Sequence, residues 1–423
     1  HERQCLRPIH HHGSLRVSTM TAKPAPDLYW FLVELKAPVS RSVLWVVVFG
    51  SILLNGCATL PDTSTLLANP VPIKTIDGAP AIQDGRARFR EVFCSNMRAE
   101  GRVDHEDTSC DRWLWRLPDE PAAANVQTGV TPAPESLAIF LVTGAFSECV
   151  GEEARPLSAG AAQLKAAGAH VETIVVSGRS GSDHNAQQIA EVLERAQLHR
   201  DQTTILIGFS KGALDILHFL VNFPLAASEV DAVVSIASPV FGSRLADKAD
   251  STYSTLLAKL PYITCPPGDG QIMRSLRTDT TTQWLASNSL PSHVRYYSLA
   301  SFTIREHVAR GLAPTWKFLN HTDPRNDGQV IAADAVIPGA TLLGYANADH
   351  WGVATTVESV HTYLGARPDP ALFPLVSLFD SIVLFVSDDL TRSSRSKENQ
   401  QRDIPSEDCI HAESTAAPLR VDN

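Results

Sequence analysis

Thr203-Thr204-Ile205-Leu206-Ile207-Gly208-Phe209-Ser210-Lys211-Gly212-Ala213 joins two local patterns across five residues. The first half is a short apolar run rich in β-branched residues, a buried strand by composition. The second half leads into Ala213-Leu214-Asp215-Ile216-Leu217-His218-Phe219-Leu220, which carries a helical pattern. Between them stands Gly208-x-Ser210-x-Gly212. Strand, sharp turn and helix in that order form the context that presents a serine as a nucleophile. The turn strains the serine backbone, so small flanking residues are required, and Gly208 and Gly212 let helix and strand approach closely. Ser210 is therefore the candidate nucleophile; the alternative is an ordinary helix N-cap.

Outward from this point the alternation continues. Strands are expected at Leu137–Val142, Val171–Val176 (ending at Gly178), Val230–Ile236, Val294–Leu299 and Thr341–Tyr345, with helices at Glu152–Ala167 and, capped by Ser182 or Asp183, through Ile189, Val192 and Leu193. Short loops between alternating strands and helices predict a mostly parallel sheet covered by helices on both faces. Reactive groups then collect at the carboxyl ends of the strands. Pro239–Ser292 reads as long and irregular, a wall or lid with a short helix at Ser251–Leu260. Leu372–Leu390 reads as a closing helix.

A serine needs a base, and the base needs an orienting carboxylate. In the chain order Ser, acid, His that follows such a turn, His350 in Asp349-His350-Trp351-Gly352 lies just past the last strand. Asp327, in Asn326-Asp327-Gly328-Gln329-Val330, is the expected acid, with Asp323 and Asp334 as rivals. Asp349 is poorly placed to orient its neighbour's ring, and His218 reads as a packing residue. Two backbone N–H groups should face the developing oxyanion. Lys211 supplies one; the other comes from Thr143-Gly144-Ala145-Phe146, from Ala145 or else Phe146. The Lys211 side chain is expected to be a solvated charge.

These pieces resemble the α/β-hydrolases of the bacterial lipase and esterase group, over residues 136–390. Ala237-Ser238-Pro239-Val240-Phe241-Gly242-Ser243 is similar to the Thr-Pro-His-x-Gly-Ser segment of many lipases, with Val240 in place of His. Thr143-Gly144 stands where His-Gly is usual. The resemblance implies hydrolysis of carboxylic esters through an acyl-enzyme on Ser210. An acyltransferase, thioesterase or polyester hydrolase would use the same residues, and a non-catalytic envelope scaffold is the reading from a different class.

The 423 residues carry a net charge of −10, which argues against nucleic acid as a partner. The sequence holds no His-x-x-x-His pair and no Cys/His cluster at ligand spacing, so neither metal nor cofactor is expected. Oligomeric state is not legible. Residues 1–17 are basic and aperiodic and read as upstream or expression sequence outside the fold. Lys23, Lys36 and Arg41 precede the apolar run Val43–Leu54, a signal-peptide core shorter than the roughly 20 residues of a membrane span. Leu54-Asn55-Gly56-Cys57-Ala58 follows and resembles the bacterial lipoprotein box. Lipidation of Cys57 would then anchor the protein to a membrane, and by the sorting habit of the lipoproteins this box resembles, Ala58 rather than Asp implies the outer membrane, on its periplasmic side.

The expected organisation is a signal segment to 56, a tether over 57–85, a helical extension over 86–135, the hydrolase domain over 136–390 and a disordered tail from 391 to 423. Export permits disulfides. Four cysteines allow three pairings, between which the sequence does not choose; Cys94 with Cys110, which flank a polar loop, and Cys149 with Cys265 are the expected ones, leaving Cys409 over.

Overall fold

Apolar runs too continuous for a half-exposed strand build the centre of the molecule. The computed structural model describes residues 63–101, 110–122, 131–149, 155–196, 198–199, 201–248, 266–355 and 373–402. The strands are β1 (Gln83–Asp84), β2 (Leu137–Val142), β3 (His170–Ile174), β4 (Thr203–Phe209), β5 (Ala232–Ile236), β6 (Arg295–Ser301) and β7 (Thr341–Ala346). They form one sheet in the order β1-β7-β6-β5-β4-β2-β3, and every neighbouring pair is parallel. Every residue of β2 and of β5 is buried, as expected of strands covered on both faces.

Among the described residues, the helices of eight residues or more are α1 (Arg86–Ala99), α2 (Ser158–Ala166), α3 (Ser182–Arg195), α4 (Lys211–Asn222), α5 (Thr278–Ser287), α6 (Ala313–Asn320) and α7 (Leu375–Arg402). The period-two alternation of the strands sorts the core. Ile139, Leu141, Ile205, Ile207 and Val234 pack with Phe89 and Phe93 of α1 and Phe379, Ile382 and Phe385 of α7. Ala138, Phe140, Val142, Leu206 and Val233 pack with Ile189 of α3, Ile216 and Phe219 of α4, and Leu285 of α5. Each fully buried side chain of this size contributes about 1.5–3 kcal/mol.

Several expectations need correction. Helix α2 starts at Ser158, later than the apolar pattern suggests, because Arg155–Leu157 form a turn in which Leu157 takes φ 56°. Neither Ser182 nor Asp183 caps α3. Gly181 is its N-cap, and the Asp183 carboxylate instead accepts from Asn222 and bonds the His218 ring. Pro239–Ser292 is not wholly irregular, since it contains α5, whose Leu285 completes the core. The stretch Ser251–Leu260 lies outside the described residues. Helix α7 runs on to Arg402 where disorder was expected, helped by the i,i+4 pair of Asp388 with Arg392 at 2.8 Å.

The stretch read as tether and extension also enters the body. Gln83 and Asp84 pair with β7, and Trp115 N–H donates to Tyr345 O at 2.8 Å. Arg90 of α1 is nearly buried, its guanidinium held by Glu120 at 2.6 Å and by the Leu114 and Trp115 carbonyls at 2.8 and 3.0 Å. A charge this deep is tolerated because its donors are taken up. The Cys94–Cys110 disulfide closes the same region. Cys149 is disulfide-bonded; Cys265, the partner expected for it, lies outside the described residues, as do Cys57 and Cys409.

Candidate active site

The strand order reverses between β2 and β4, since β2 leads outward to β3 while β4 leads to β5 on its other side. A crevice opens at the carboxyl ends of strands at such a switch point. Ser210 directly follows β4 there, with φ 53° and ψ −130°. A positive φ is costly for a residue with a Cβ and persists only where the surroundings impose it. Those surroundings can be measured. A Cβ on Gly208 would sit 2.3 Å from Ala213 Cα, and one on Gly212 would sit 2.5 Å from the Val142 and Thr143 carbonyl oxygens. The turn therefore requires both glycines, as the sequence predicts.

The structure brings His350 and Asp327 to this turn. His350 Nε2 lies 2.9 Å from Ser210 Oγ, and His350 Nδ1 lies 2.8 Å from Asp327 Oδ2. Both His350 and Asp327 are buried, and the Phe209 ring stands 5.1 Å from the imidazole. Asp327 lies in a turn where Gly328 takes φ 96°, and its Oδ1 accepts from the Gln329 and Val330 N–H groups at 2.8 and 2.7 Å. One carboxylate oxygen is thus occupied by backbone while the other faces the imidazole. His350 N–H donates to Asp327 O at 2.8 Å, so the two segments are tied through main chain as well. The rivals are engaged elsewhere: Asp323 pairs with Arg325 at 3.1 Å and Asp334 with Lys74 at 2.5 Å.

Asp349 does not face the ring of its neighbour. Its Oδ2 accepts from Ala309 N–H and its Oδ1 from Gly352 N–H, both at 2.7 Å. Burial pushes its carboxyl up while these two bonds pull it down. The result is a pinned loop, with Trp351 packed against Val308, Ala309, Leu312 and Trp316.

The loop after β2 meets the serine closely, since a Cβ on Gly144 would lie 2.9 Å from Ser210 Cβ. Lys211 is the first residue of α4, where an N–H has no partner within the helix. Phe146 N–H donates to Gly178 O at 3.1 Å, whereas Ala145 N–H makes no hydrogen bond among the described residues. Of the two donors expected from this loop, Ala145 is thus the one available.

The Lys211 side chain corrects an expectation. It is 1 % exposed, with Nζ 2.5 Å from Asp215 Oδ1. The spacing of Lys211 and Asp215, four residues apart at the start of a helix, was the sequence signal for this pair. His218 does pack, its ring stacked 4.0 Å from Trp284 of α5 and 2.7 Å from Asp183. Burial lowers its pKa, partly offset by that carboxylate. Among the described residues no group of His, Cys, Asp and Glu is arranged to hold a metal ion, and no helix is long and apolar enough to cross a membrane.

An open parallel sheet, a strained serine after an interior strand and an imidazole between that serine and a carboxylate define a serine hydrolase of the α/β-hydrolase fold. Comparison with known proteins narrows the class. Among solved structures the chain is similar to the metagenomic carboxyl esterase MGS0156, with 36 % sequence identity over 75 % of this chain and 97 % of that one, at a TM-score of 0.65. The chain belongs to this carboxyl esterase family of α/β-hydrolases. It is also similar to the mature lipase BlEst2 of Bacillus licheniformis, at 25 % identity over 52 % of this chain and 87 % of that one, with a TM-score of 0.42. That overlap adds nothing to the assignment. No family model matches the chain, and neither does any curated protein.

Proposed function

We propose that the protein hydrolyses carboxylic esters through an acyl-enzyme on Ser210. The observation that carries this reading is the imidazole of His350, within 2.9 Å of Ser210 Oγ and 2.8 Å of Asp327 Oδ2. His350 Nε2 takes the hydroxyl proton as Oγ attacks the acyl carbonyl, and Asp327 holds the imidazolium that forms. The carbonyl oxygen gains negative charge facing the Lys211 and Ala145 N–H groups. Collapse of the tetrahedral intermediate expels the alcohol, which takes its proton from His350. Water, deprotonated by His350, then attacks the acyl carbon and releases the acid.

The same reading includes export and attachment to the outer membrane through a lipid on Cys57. It is supported by the run Val43–Leu54 behind basic residues and by Leu54-Asn55-Gly56-Cys57 directly after it.

Two experiments test these statements. A fluorophosphonate probe should label the wild type and not Ser210→Ala, and p-nitrophenyl esters of graded chain length should report turnover and acyl preference. Equal labelling of the two proteins would remove Ser210 from the mechanism. Cys57→Ser should abolish incorporation of labelled fatty acid, and unchanged incorporation would remove the anchor.

A further inference from the structure

Behind Ser210 lies a set of buried polar groups that the ester chemistry above does not use. Lys211, Asp215 and Asn185 are each no more than 1 % exposed. Asp215 Oδ1 receives the Lys211 ammonium, and Asp215 Oδ2 accepts from Asn185 Nδ2 at 2.7 Å. The same Nδ2 donates to Ser177 O at 3.1 Å, in the loop that follows β3. Asn185 Oδ1 has no hydrogen-bond partner among the described residues, so burying this amide carries a cost that its two donated bonds must offset.

The next residue, Gly178, touches the other side of the site. Its carbonyl accepts from Phe146 N–H at 3.1 Å, and its N–H donates to Glu148 Oε1 at 2.9 Å. The approach is close enough that a Cβ on Gly178 would lie 2.5 Å from Phe146 N and 2.6 Å from Phe146 Cα. Phe146 itself is held at φ 61°. One turn, Ser177–Gly178, is therefore joined to Lys211 through Asn185 and Asp215, and to the residue after Ala145 through a main-chain bond.

We infer that Asn185 and Asp215 are positioning residues for the oxyanion pocket, which hold the Lys211 and Ala145 N–H groups at a fixed separation by anchoring both to the Ser177–Gly178 turn. The inference rests on the acyl-enzyme reading given above. The two donors come from segments far apart in sequence; the pairing of β2 with β4 and the seat of Gly212 on the Val142 and Thr143 carbonyls bring them together, and the bridge through Ser177–Gly178 adds a second tie between them. Donors stabilise the oxyanion only when aimed at the place where charge develops, and a loosened spacing reduces that without disturbing substrate binding.

The test uses the full chain, a p-nitrophenyl ester and a trifluoromethyl ketone, whose adduct with Ser210 places an oxyanion in the pocket. Asn185→Ala should lower kcat by about tenfold to a hundredfold, a part of what loss of a whole donor costs, with KM nearly unchanged. The inhibition constant of the ketone should rise by the same factor. Gly178→Ala, which pushes on Phe146 from the other side, should shift kcat and the ketone constant in the same direction. A lower melting temperature with both quantities unchanged would make Asn185 purely structural and overturn the inference. Should Asn185→Ala fail to fold, normal kcat and normal ketone affinity in Gly178→Ala would overturn it equally. Fluorophosphonate labelling of wild type but not Ser210→Ala keeps these outcomes separate from failure of the acyl-enzyme reading itself.

Discussion

Asp327→Asn isolates the contribution of one carboxylate oxygen. In the native site Oδ1 accepts from the Gln329 and Val330 N–H groups at 2.8 and 2.7 Å, and Oδ2 faces His350 Nδ1 at 2.8 Å. An amide has one acceptor and one donor end, so the substituted side chain has two possible orientations. Turning its NH₂ toward the backbone would leave both N–H groups without an acceptor, at about 1–3 kcal/mol each. Keeping the oxygen on the backbone points the NH₂ at Nδ1 and makes that nitrogen an acceptor. The proton then sits on Nε2, which donates to Ser210 Oγ, and both imidazole bonds survive. The second orientation wins by about 2–6 kcal/mol on that count. It leaves the imidazole unable to take the serine proton. The expected loss in kcat is about 10³- to 10⁴-fold, or about 4–5.5 kcal/mol of barrier, with KM little changed. Steady-state hydrolysis of a p-nitrophenyl ester would measure it, alongside a thermal melt to show that the fold persists. A kcat within about tenfold of wild type, in protein that melts normally, would refute the assignment of Asp327 as the orienting acid.

Three further outcomes follow from packing and charge. Gly212→Ala places a Cβ 2.5 Å from two backbone carbonyl oxygens that cannot rotate away; soluble yield or melting temperature should drop sharply, and an unchanged melt would contradict the close approach of α4 to β2. Burial, with repulsion from Glu100, pushes the Asp380 carboxyl up to about 6. A raised carboxyl disfavours the charged form in the folded state, so its cost is full above the folded pKa and absent below the unfolded one. Asp380→Asn should therefore stabilise by about 1 kcal/mol at pH 8 after allowance for solvent screening, and the gain should vanish below about pH 4. Denaturant titrations at the two pH values would show it, and an equal gain at both would refute the charge argument. Replacing Cys94 and Cys110 by Ala should cost about 3 kcal/mol, the chain-entropy value for a loop of similar length; a calorimetric melt identical to wild type would count against the bridge.

The parts of this molecule that the sequence makes legible are those whose constraint is local. Gly208 is demanded by Ala213, a few residues on in the same turn, whereas Gly212 is demanded by the Val142 and Thr143 carbonyls of a segment distant in sequence and is legible only because it completes the Gly-x-Ser-x-Gly turn. The strands of the central sheet announce themselves because burial on both faces leaves them mostly apolar, with Thr203, Thr204 and Ser235 the polar positions in β2, β4 and β5. Gly328 stands beside the carboxylate it helps to aim. Strand β1 was hidden for the opposite reason. Two residues, both exposed, carry no hydrophobic period, and Gln83–Asp84 is a strand only because the edge of β7 is there to receive it. The extension of α7 to Arg402 is hidden likewise, since Arg, Ser, Lys, Glu and Gln read as disorder unless an already docked helix propagates through them.

Buried polar groups are the hardest to read, because the same residue types serve equally well on the surface. Lys211 reads as a solvated charge until Asp215 and Asn185 are seen closing around it. Gly178 reads as the end of a strand until Phe146 is found against it. The pair four residues apart on α4 was visible, yet an i,i+4 pair on an exposed face is worth only a few tenths of a kcal/mol and does not announce burial. What separates the two cases is the third member, Asn185, supplied by a different helix and satisfying the carboxylate oxygen that water would otherwise take. A lone buried ion pair roughly breaks even or costs stability, and it becomes tolerable when further hydrogen bonds complete it. That completion ties the segment after the serine to the turn beside the facing loop. The polar groups hardest to find in the sequence therefore span the segments on which the spacing of the oxyanion donors depends.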